Sequence, residues 1–173
     1  MTKRYVQIYT GDGKGKTTAA VGLTLRAVGA GWRVFIGQFV KGRLSHEMRL
    51  LEKLCPDAVR IEPFGHGTFI KDRPSHEDIA AARHGLERLK RILASGDFDL
   101  VIADEVGAAV STGILGVFDL LEWLDARPRS IELVLTGRAF DPRILERADL
   151  VTEMRPVKHY FDAGVPARQG IEF

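Results

Sequence analysis

The sequence has little cysteine, no long apolar run and no recognisable targeting segment, and each shortage excludes a class of protein. Cys55 is the only cysteine in 173 residues, so no disulfide can form within the chain. This composition fits a reducing compartment, and we expect the cytoplasm. No stretch approaches the roughly 18 apolar residues of a membrane-spanning helix, and the first residues lack a signal-peptide pattern. We therefore expect a soluble protein with no membrane partner.

The chain also lacks a strong charge of either sign. It has 25 lysine and arginine residues against 23 acidic residues, which gives a formal net charge of +2. Proteins that coat nucleic acid carry a large basic excess, because much of their affinity comes from neutralising phosphates. The composition therefore predicts no nucleic-acid partner, and any ligand must be inferred from particular sites.

What the sequence does contain is an alternation of short apolar runs with longer amphipathic ones. We interpret six runs as strands, at residues 4–9, 32–40, 57–64, 98–105, 131–137 and 150–157. Helices are predicted at residues 16–28 and after Pro74, where Ser75 and Asp78 have the spacing of a capping box. Alternating strands and helices are typical of βαβ units, and 173 residues suit one domain. The sequence predicts a single α/β domain over residues 1–173, with a mostly parallel sheet of about six strands and helices on both faces.

Residues 10–18, TGDGKGKTT, lie between the first strand and the first helix and are similar to a P-loop. Gly15, Lys16 and Thr17 fit the second half of the pattern G-x-x-x-x-G-K-[ST], whereas Thr10 stands where its first glycine is expected. Neighbouring glycines still allow the loop to point its N–H groups at an anion, at the positive end of the following helix. We predict a nucleoside triphosphate site. The alternative is a glycine-rich turn whose lysines only keep it soluble.

The apolar strand at residues 98–105 ends in two carboxylates, Asp104 and Glu105. Oxygen ligands suit Mg²⁺, so this strand is a candidate to deliver a carboxylate to a metal ion at the P-loop. Consecutive side chains of a strand point to opposite faces, so the pattern does not decide which of the two binds. Acidic residues at an ordinary turn are the alternative.

No local pattern identifies a general base, although Arg138 after the fifth strand is a candidate to neutralise a phosphoryl group. The five histidines have no metal-binding spacing, and we interpret them as surface or hydrogen-bonded residues. Residues 158–173 have few apolar positions in a regular period. The aromatic Tyr160 and Phe161 among basic residues favour an ordered tail that forms part of a site over a frayed terminus.

Five segments together resemble one family, the ATP:corrinoid adenosyltransferases of cobalamin biosynthesis and salvage. They are YTGDGKGKTTAA, GQFVKG, EDIAAAR, VLTGR and the C-terminal ADLVTEMRPVKHYFDAGVPARQGIEF. The resemblance spans nearly the whole chain and extends to the departure at Thr10. It implies a P-loop, RecA-like α/β fold, usually as a homodimer. It also implies transfer of the 5′-deoxyadenosyl group of ATP to the Co(I) of a reduced corrinoid, either cobalamin or a cobyrinic acid diamide precursor, with release of triphosphate.

The resemblance also implies roles for individual residues. The triphosphate would lie against Gly11, Asp12, Gly13, Lys14, Gly15, Lys16, Thr17 and Thr18, with Lys16, Thr17 and Glu105 as the catalytic residues. Thr17 and Glu105 are the preferred Mg²⁺ ligands, and Asp104 is the alternative ligand. Lys41 and Arg138 would lie near the nucleotide or the subunit interface. Phe69, Lys158, His159 and Tyr160 would lie near the corrinoid. A reduced flavoprotein is the implied source of electrons.

Two segments depart from the family pattern. Many members have an aromatic pair in a segment similar to GFTW, thought to press on the lower face of the corrin, and here Thr68 and Ile70 take those positions. A family segment similar to DEINYAL is here DEVGAAVSTG, in which Gly107 and Ala108 replace larger side chains. Both departures lie where we expect the corrinoid to contact the protein, so they concern the acceptor more than the nucleotide.

The same residues leave two other functions open. An ATPase or kinase would use the loop to break a P–O bond and would produce ADP. A regulatory module would bind ATP and yield no adenosylated corrinoid. In adenosyl transfer the Co(I) nucleophile needs no proton removed, which fits a site in which the sequence shows no base.

Overall fold

The computed structural model describes residues 3–67 and 74–172. The described residues form six strands: β1 (Val6–Thr10), β2 (Val34–Phe39), β3 (Val59–Phe64), β4 (Leu100–Asp104), β5 (Glu132–Thr136) and β6 (Leu150–Glu153). They also form six α-helices: α1 (Lys16–Gly29), α2 (His46–Leu54), α3 (His76–Ser95), α4 (Val106–Ser111), α5 (Val117–Asp125) and α6 (Pro142–Leu145). A 3₁₀ turn, Tyr160–Ala163, lies in the C-terminal tail. All six predicted strands are confirmed, but β6 ends at Glu153, four residues before the predicted end.

The strands form one sheet in the order β3-β2-β4-β5-β1-β6, and every neighbouring pair is parallel. The predicted α/β class is therefore confirmed. Because all strands run the same way, their carboxyl ends meet at one edge, where α/β proteins bind their ligands. β5 lies between β1, which leads into the P-loop, and β4, which ends in the two carboxylates.

Helices cover both faces of the sheet, because alternate residues of the central strands enter different cores. On one face α1 and α2 pack against Ile36 and Ile102. On the other face α3, α4, α5 and α6 pack against Phe35 and Val101. β2 and β4 are buried along their whole length, whereas every residue of the edge strand β6 is exposed.

The predicted start of α3 is confirmed in detail. The side chain of Ser75 accepts a hydrogen bond from the N–H of Asp78, and the Asp78 carboxylate accepts one from the N–H of Ser75. This capping box fixes where the longest helix begins. Over the part of the chain that the structure describes, no helix is long and apolar enough to cross a membrane.

Candidate active site at the carboxyl edge of the sheet

The P-loop lies against the chain that follows β6. The N–H of Gly13 donates to the carbonyl oxygen of Met154 at 2.7 Å. A Cβ atom added at Gly11 or Gly13 would lie 2.5 or 2.6 Å from that same oxygen. Gly11 and Gly15 also have φ angles of +96° and +118°, a region that favours glycine. The P-loop pattern predicted the glycines, but nothing in the sequence indicated that Met154 is the residue they contact.

Lys16 is folded back into the loop that carries it. Its Nζ donates to the carbonyl oxygens of Gly11 and Gly13 at 2.7 and 2.8 Å, and the residue is only 6% exposed. Burial lowers the pKa of the Lys16 ammonium, and the nearby Arg138 lowers it further. An ammonium has three hydrogens, so one remains to meet a ligand in the cavity.

Asp104, at the end of β4, is fully buried and is a hydrogen-bond acceptor for three neighbouring side chains. Its Oδ1 accepts from the hydroxyls of Thr17 and Thr136 at 2.9 and 2.7 Å. Its Oδ2 accepts from Nε2 of Gln38 at 3.1 Å, and Oε1 of Gln38 is buried without a partner among the described residues. The carboxylate therefore ties α1, β2 and β5 to β4 from beneath the P-loop, and it orients the Thr17 hydroxyl.

Glu105 follows Asp104 but faces the cavity beside the P-loop. Its N–H donates to the hydroxyl of Thr136 at 2.9 Å. Burial raises the pKa of the Glu105 carboxyl, and the neighbouring Asp104 raises it further. The two adjacent carboxylates thus occupy different environments: Asp104 accepts three hydrogen bonds from side chains in the core, and Glu105 lines the cavity.

Among residues 3–67 and 74–172, three that are not glycine have positive φ angles, and each lies just past the carboxyl end of a strand. They are Val40 at 67°, Glu105 at 58° and Ala139 at 48°. Such conformations cost free energy and are common at functional sites. Here they shape the turns that present Lys41, Glu105 and Arg138 to one cavity.

That cavity has a volume of about 610 Å³. It brings together predicted site residues, namely Gly13, Lys14, Gly15, Lys16, Thr17, Thr18, Lys41, Glu105, Arg138 and His159. Its wall also includes residues that the sequence did not single out, namely Val21, His46, Glu47, Gly170, Ile171 and Glu172. Both the loop and the C-terminal tail therefore contribute to one space.

The tail reaches the P-loop through Lys14. Nζ of Lys14 donates to Oε1 of Glu172 at 2.9 Å, to the carbonyl oxygen of Ile171 at 2.7 Å and to the hydroxyl of Tyr160 at 3.2 Å. The Tyr160 hydroxyl also donates to Glu172, and the N–H of Arg168 donates to the other oxygen of that carboxylate at 2.7 Å. These contacts join the tail to the P-loop, and Arg168 and Glu172, which take part in them, were not among the predicted site residues.

The remaining predicted residues are placed differently. Asp12 and Lys158 are exposed and do not line the cavity, and neither do Gly11, Asp104 and Tyr160. The predicted corrinoid contact Phe69 lies outside the described residues, as do the departures at Thr68 and Ile70.

The departure at Gly107 has a local explanation. Gly107 is buried, and a Cβ atom there would lie 2.7 Å from the ring of Phe140 and 3.0 Å from Cα of Gly137. The space that a larger side chain would need is filled by the turn after β5. The half-buried neighbour Ala108 is not enclosed in the same way.

Comparison with known proteins identifies relatives along the whole chain. The family model described as ATP:corrinoid adenosyltransferase BtuR/CobO/CobP matches residues 2–173. The corrinoid adenosyltransferase of Escherichia coli K12 is 41% identical over 167 residues, which covers 96% of this chain and 84% of that protein. The corrinoid adenosyltransferase of Pseudomonas aeruginosa is 37% identical over 166 residues, which covers 96% of this chain and 82% of that protein.

A solved structure gives independent support for the fold. The flagellar accessory protein FlaH from Methanocaldococcus jannaschii superimposes with a TM-score of 0.57 at 13% identity, covering 88% of this chain and 72% of that one. At such low identity the likeness concerns the fold alone, and it supports the α/β architecture described above. The full-length family match and the identity with the bacterial enzymes carry the assignment further: the chain belongs to the ATP:corrinoid adenosyltransferase family.

Proposed function

We propose that this protein transfers the 5′-deoxyadenosyl group of ATP to the cobalt of a reduced corrinoid and releases triphosphate. The Co(I) substrate supplies the electron pair that forms the Co–C bond at the ribose 5′-carbon. The C–O bond between that carbon and the triphosphate breaks, and its electron pair leaves with the triphosphate. The observation that carries the proposal is the P-loop facing a common cavity with Glu105, in a chain that matches the family over residues 2–173.

The protein's part in this reaction is to bind and to stabilise the leaving group. Gly11 and Gly13 let the loop pack closely on Met154, and the N-terminus of α1, whose first residues line the cavity, adds its positive end. The remaining hydrogen of the Lys16 ammonium would meet the charge that grows on the triphosphate as the C–O bond breaks. Holding the two substrates in line provides a further large share of the rate enhancement.

Magnesium is part of the proposal, and the donor chemistry of the site fits it. Thr17 and Glu105 offer oxygen ligands beside the P-loop, which is what this hard cation prefers. Within residues 3–67 and 74–172, no group of three or more His, Cys, Asp or Glu residues could hold a metal ion by itself. Phosphate oxygens and water would therefore complete the coordination, as is common for Mg²⁺ at nucleotides. Bound there, the ion would neutralise charge on the triphosphate.

We assign Asp104 a supporting role, because all three of its contacts are hydrogen bonds from protein side chains. Its acceptance of the Thr17 hydroxyl hydrogen leaves the lone pairs of that oxygen for the metal. Lys41 and Arg138 are proposed to contact the nucleotide, since both line the cavity. His159 and the neighbouring Lys158 and Tyr160 are proposed to lie toward the corrinoid.

Other parts of the proposal rest on the family resemblance. They are a homodimer and a reduced flavoprotein that supplies the electrons, whereas the proposed cytoplasmic location rests on the single cysteine. Light scattering on the purified protein tests the first of these. Reconstitution with reduced flavoproteins, measured as cobalt reduction in the presence of ATP, tests the second.

The direct test is an anaerobic incubation of the protein with Mg-ATP and chemically reduced cobalamin. We expect a light-sensitive Co–C bond and triphosphate. ADP without alkylated corrinoid would instead support a phosphoryl-transfer enzyme. Binding of ATP without any product from cobalamin or the cobyrinic acid diamide would support a regulatory module.

A further inference from the structure

Lys14 differs from an ordinary phosphate-binding lysine, because all of its hydrogens are used. An ammonium has three N–H donors, and here they meet the Glu172 carboxylate, the Ile171 carbonyl and the Tyr160 hydroxyl. None is left for a phosphate oxygen unless the tail moves away. Lys16, two residues later in the same loop, retains one.

Glu172 is equally well satisfied. Besides Lys14, its carboxylate accepts hydrogen bonds from the Tyr160 hydroxyl and from the N–H of Arg168, whose guanidinium Nε is 3.5 Å away. The Tyr160 and Lys14 hydrogen bonds lower the pKa of the Glu172 carboxyl to about 2. The charge of Lys14 is thus already balanced by a carboxylate of the protein.

The aromatic ring of Tyr160 strengthens the same cluster. The Arg168 guanidinium lies 4.9 Å from the ring centroid, and Nζ of Lys14 lies 6.0 Å from it. Cations at such distances from an aromatic ring are attracted to its face. The contacts therefore join the loop to two separate parts of the tail, at Tyr160 and at 168–172.

The position of this cluster gives it a consequence for the site. Gly170, Ile171 and Glu172 form part of the wall of the cavity that Lys16 and Glu105 also line. Among the described residues, every hydrogen bond between the P-loop and residues 158–172 comes from Lys14. The wall at 170–172 therefore depends on the Lys14 cluster.

We propose that Lys14 and Glu172 form a latch that holds residues 170–172 as a wall of the nucleotide cavity, and that Glu172, not a phosphate oxygen, remains the partner of Lys14 when ATP is bound. This inference rests on the proposed function, because it concerns the same cavity. It makes Glu172 and Lys14 positioning residues and leaves the triphosphate to Lys16 and the loop backbone. The competing arrangement is one in which the γ-phosphate displaces Glu172 and takes Lys14 for itself.

The two arrangements predict opposite effects of removing the Glu172 charge. If the latch holds the wall, E172Q weakens ATP binding about fivefold, the scale of an exposed ion pair, and K14M has a similar effect. The double variant is then no weaker than either single variant, because both break the same latch. If phosphate displaces Glu172, E172Q binds ATP more tightly, since a competitor has been removed.

The measurement is a titration of each variant with Mg-ATP in the absence of corrinoid, followed by steady-state kinetics. We expect the KM for ATP to rise while kcat stays within about twofold, because the lost contact stabilises the ground state and the transition state equally. The matched control is the E87Q and K90M pair on α3, an exposed ion pair with the same 2.9 Å separation. Those variants should leave ATP binding unchanged. Tighter binding by E172Q, or additive losses in the double variant, would overturn the latch.

Proteolysis of the unmodified protein gives a second readout. Trypsin cleaves after Arg168, and a latch that persists in the complex predicts that Mg-ATP slows this cleavage. Faster cleavage with Mg-ATP would mean that nucleotide expels the tail, which contradicts the inference. Both readouts need only nucleotide binding. Failure of corrinoid turnover in a parallel assay would therefore contradict the proposed function and leave the test of the latch intact.

Discussion

Two lysines of one loop, Lys14 and Lys16, illustrate how the same residue type acquires different roles. Lys16 is buried, donates to backbone carbonyls, and has a pKa lowered by burial. Lys14 is exposed, is paired with Glu172, and has a pKa raised by that hydrogen bond. The Lys16 ammonium donates its hydrogen bonds to neutral carbonyls, and no carboxylate is hydrogen-bonded to it, although Glu105, Asp12 and Asp104 lie close enough to oppose the lowering of its pKa. Such an ammonium is suited to an anionic ligand. The position of the counter-charge therefore distinguishes Lys16, which we propose to bind the triphosphate, from Lys14, which we propose to hold the tail.

Removing Lys16 should have the largest effect on activity. We expect Lys16→Ala to lower kcat about 100-fold to 1000-fold, the loss seen when one preorganised group that stabilises the leaving charge is removed. Turnover of ATP and reduced cobalamin measures it, with a thermal melt to show that the fold is retained. Lys14→Met is the matched control, and its loss should be limited to about fivefold in ATP affinity. Similar effects of the two substitutions would contradict the distinction between the lysines.

Substitutions of Asp104, which lies beneath the P-loop, should change the free energy of unfolding according to the hydrogen bonds that they remove. Asp104→Ala leaves the donors of Thr17, Thr136 and Gln38 without an acceptor, so we expect a loss of about 3 kcal/mol or more in the free energy of unfolding. Urea denaturation measures this loss.

Asp104→Asn should be tolerated far better. Its amide NH₂ can donate to Oε1 of Gln38, which has no partner among the described residues, once the Gln38 amide turns over. Stability close to that of the natural protein is therefore expected, together with weaker Mg-ATP binding because a buried charge is lost beneath the metal ligand. Equal destabilisation by Asn and Ala would show that the charge, and not the hydrogen bonds, holds this part of the fold.

Deleting residues 158–173 tests the role of the tail that Lys14 contacts. We expect ATP affinity to fall about as much as in E172Q, roughly fivefold, because the wall at 170–172 is lost. Corrinoid transfer should fall further, since His159 and its neighbours are removed as well. Direct nucleotide titration and adenosylation rates separate the two losses. An equal loss of both, with a lowered melting temperature, would instead indicate a folding role for the tail.

The smallest expected effect is that of pH on the latch. The lowered pKa of Glu172, about 2 against an ordinary 4.5, means that its contribution is complete above the ordinary value and is lost only as pH falls through about 2. The raised pKa of Lys14 means that its contribution is complete below 10.5 and is lost only above it. Tryptic cleavage after Arg168, corrected for the enzyme's own profile, should therefore be constant from about pH 6 to 9. A titration within that range would show that another group controls the tail.

The contrast between the buried Lys16 and the exposed Lys14 also shows how much could be predicted from the sequence. The strands and helices follow from apolar periodicity, and the glycine-rich loop follows from a local motif, so β1, α1 and the positions of Gly15 and Lys16 between them could be predicted. Which of Asp104 and Glu105 lines the cavity could not be predicted, because consecutive strand residues point to opposite faces and the sequence does not say which face meets the cavity. The contacts of Asp104 with Gln38 and Thr136 could be predicted only from the order of strands in the sheet, which the sequence pattern does not give.

Contacts between distant parts of the chain were the least predictable. Met154 packs on Gly11 and Gly13, and Glu172 pairs with Lys14. Both residues lie in the C-terminal segment that resembles the family, but nothing in that segment indicates which residues they contact. Exposed charges carry almost no positional information, since a surface glutamate and a latch glutamate look alike in sequence. The aromatic and basic residues of the C-terminal segment favoured a site-forming tail and the family resemblance agreed, but neither identified the contact.

The most direct test of the account is the identity of the phosphate product under anaerobic turnover with reduced cobalamin, followed by ³¹P NMR. Breakage of the C–O bond at the ribose 5′-carbon predicts one triphosphate for each light-sensitive adenosylcorrinoid formed, and neither product from Lys16→Ala within the same time. ADP and inorganic phosphate without adenosylcorrinoid would contradict it, because the loop would then be promoting cleavage of a terminal P–O bond.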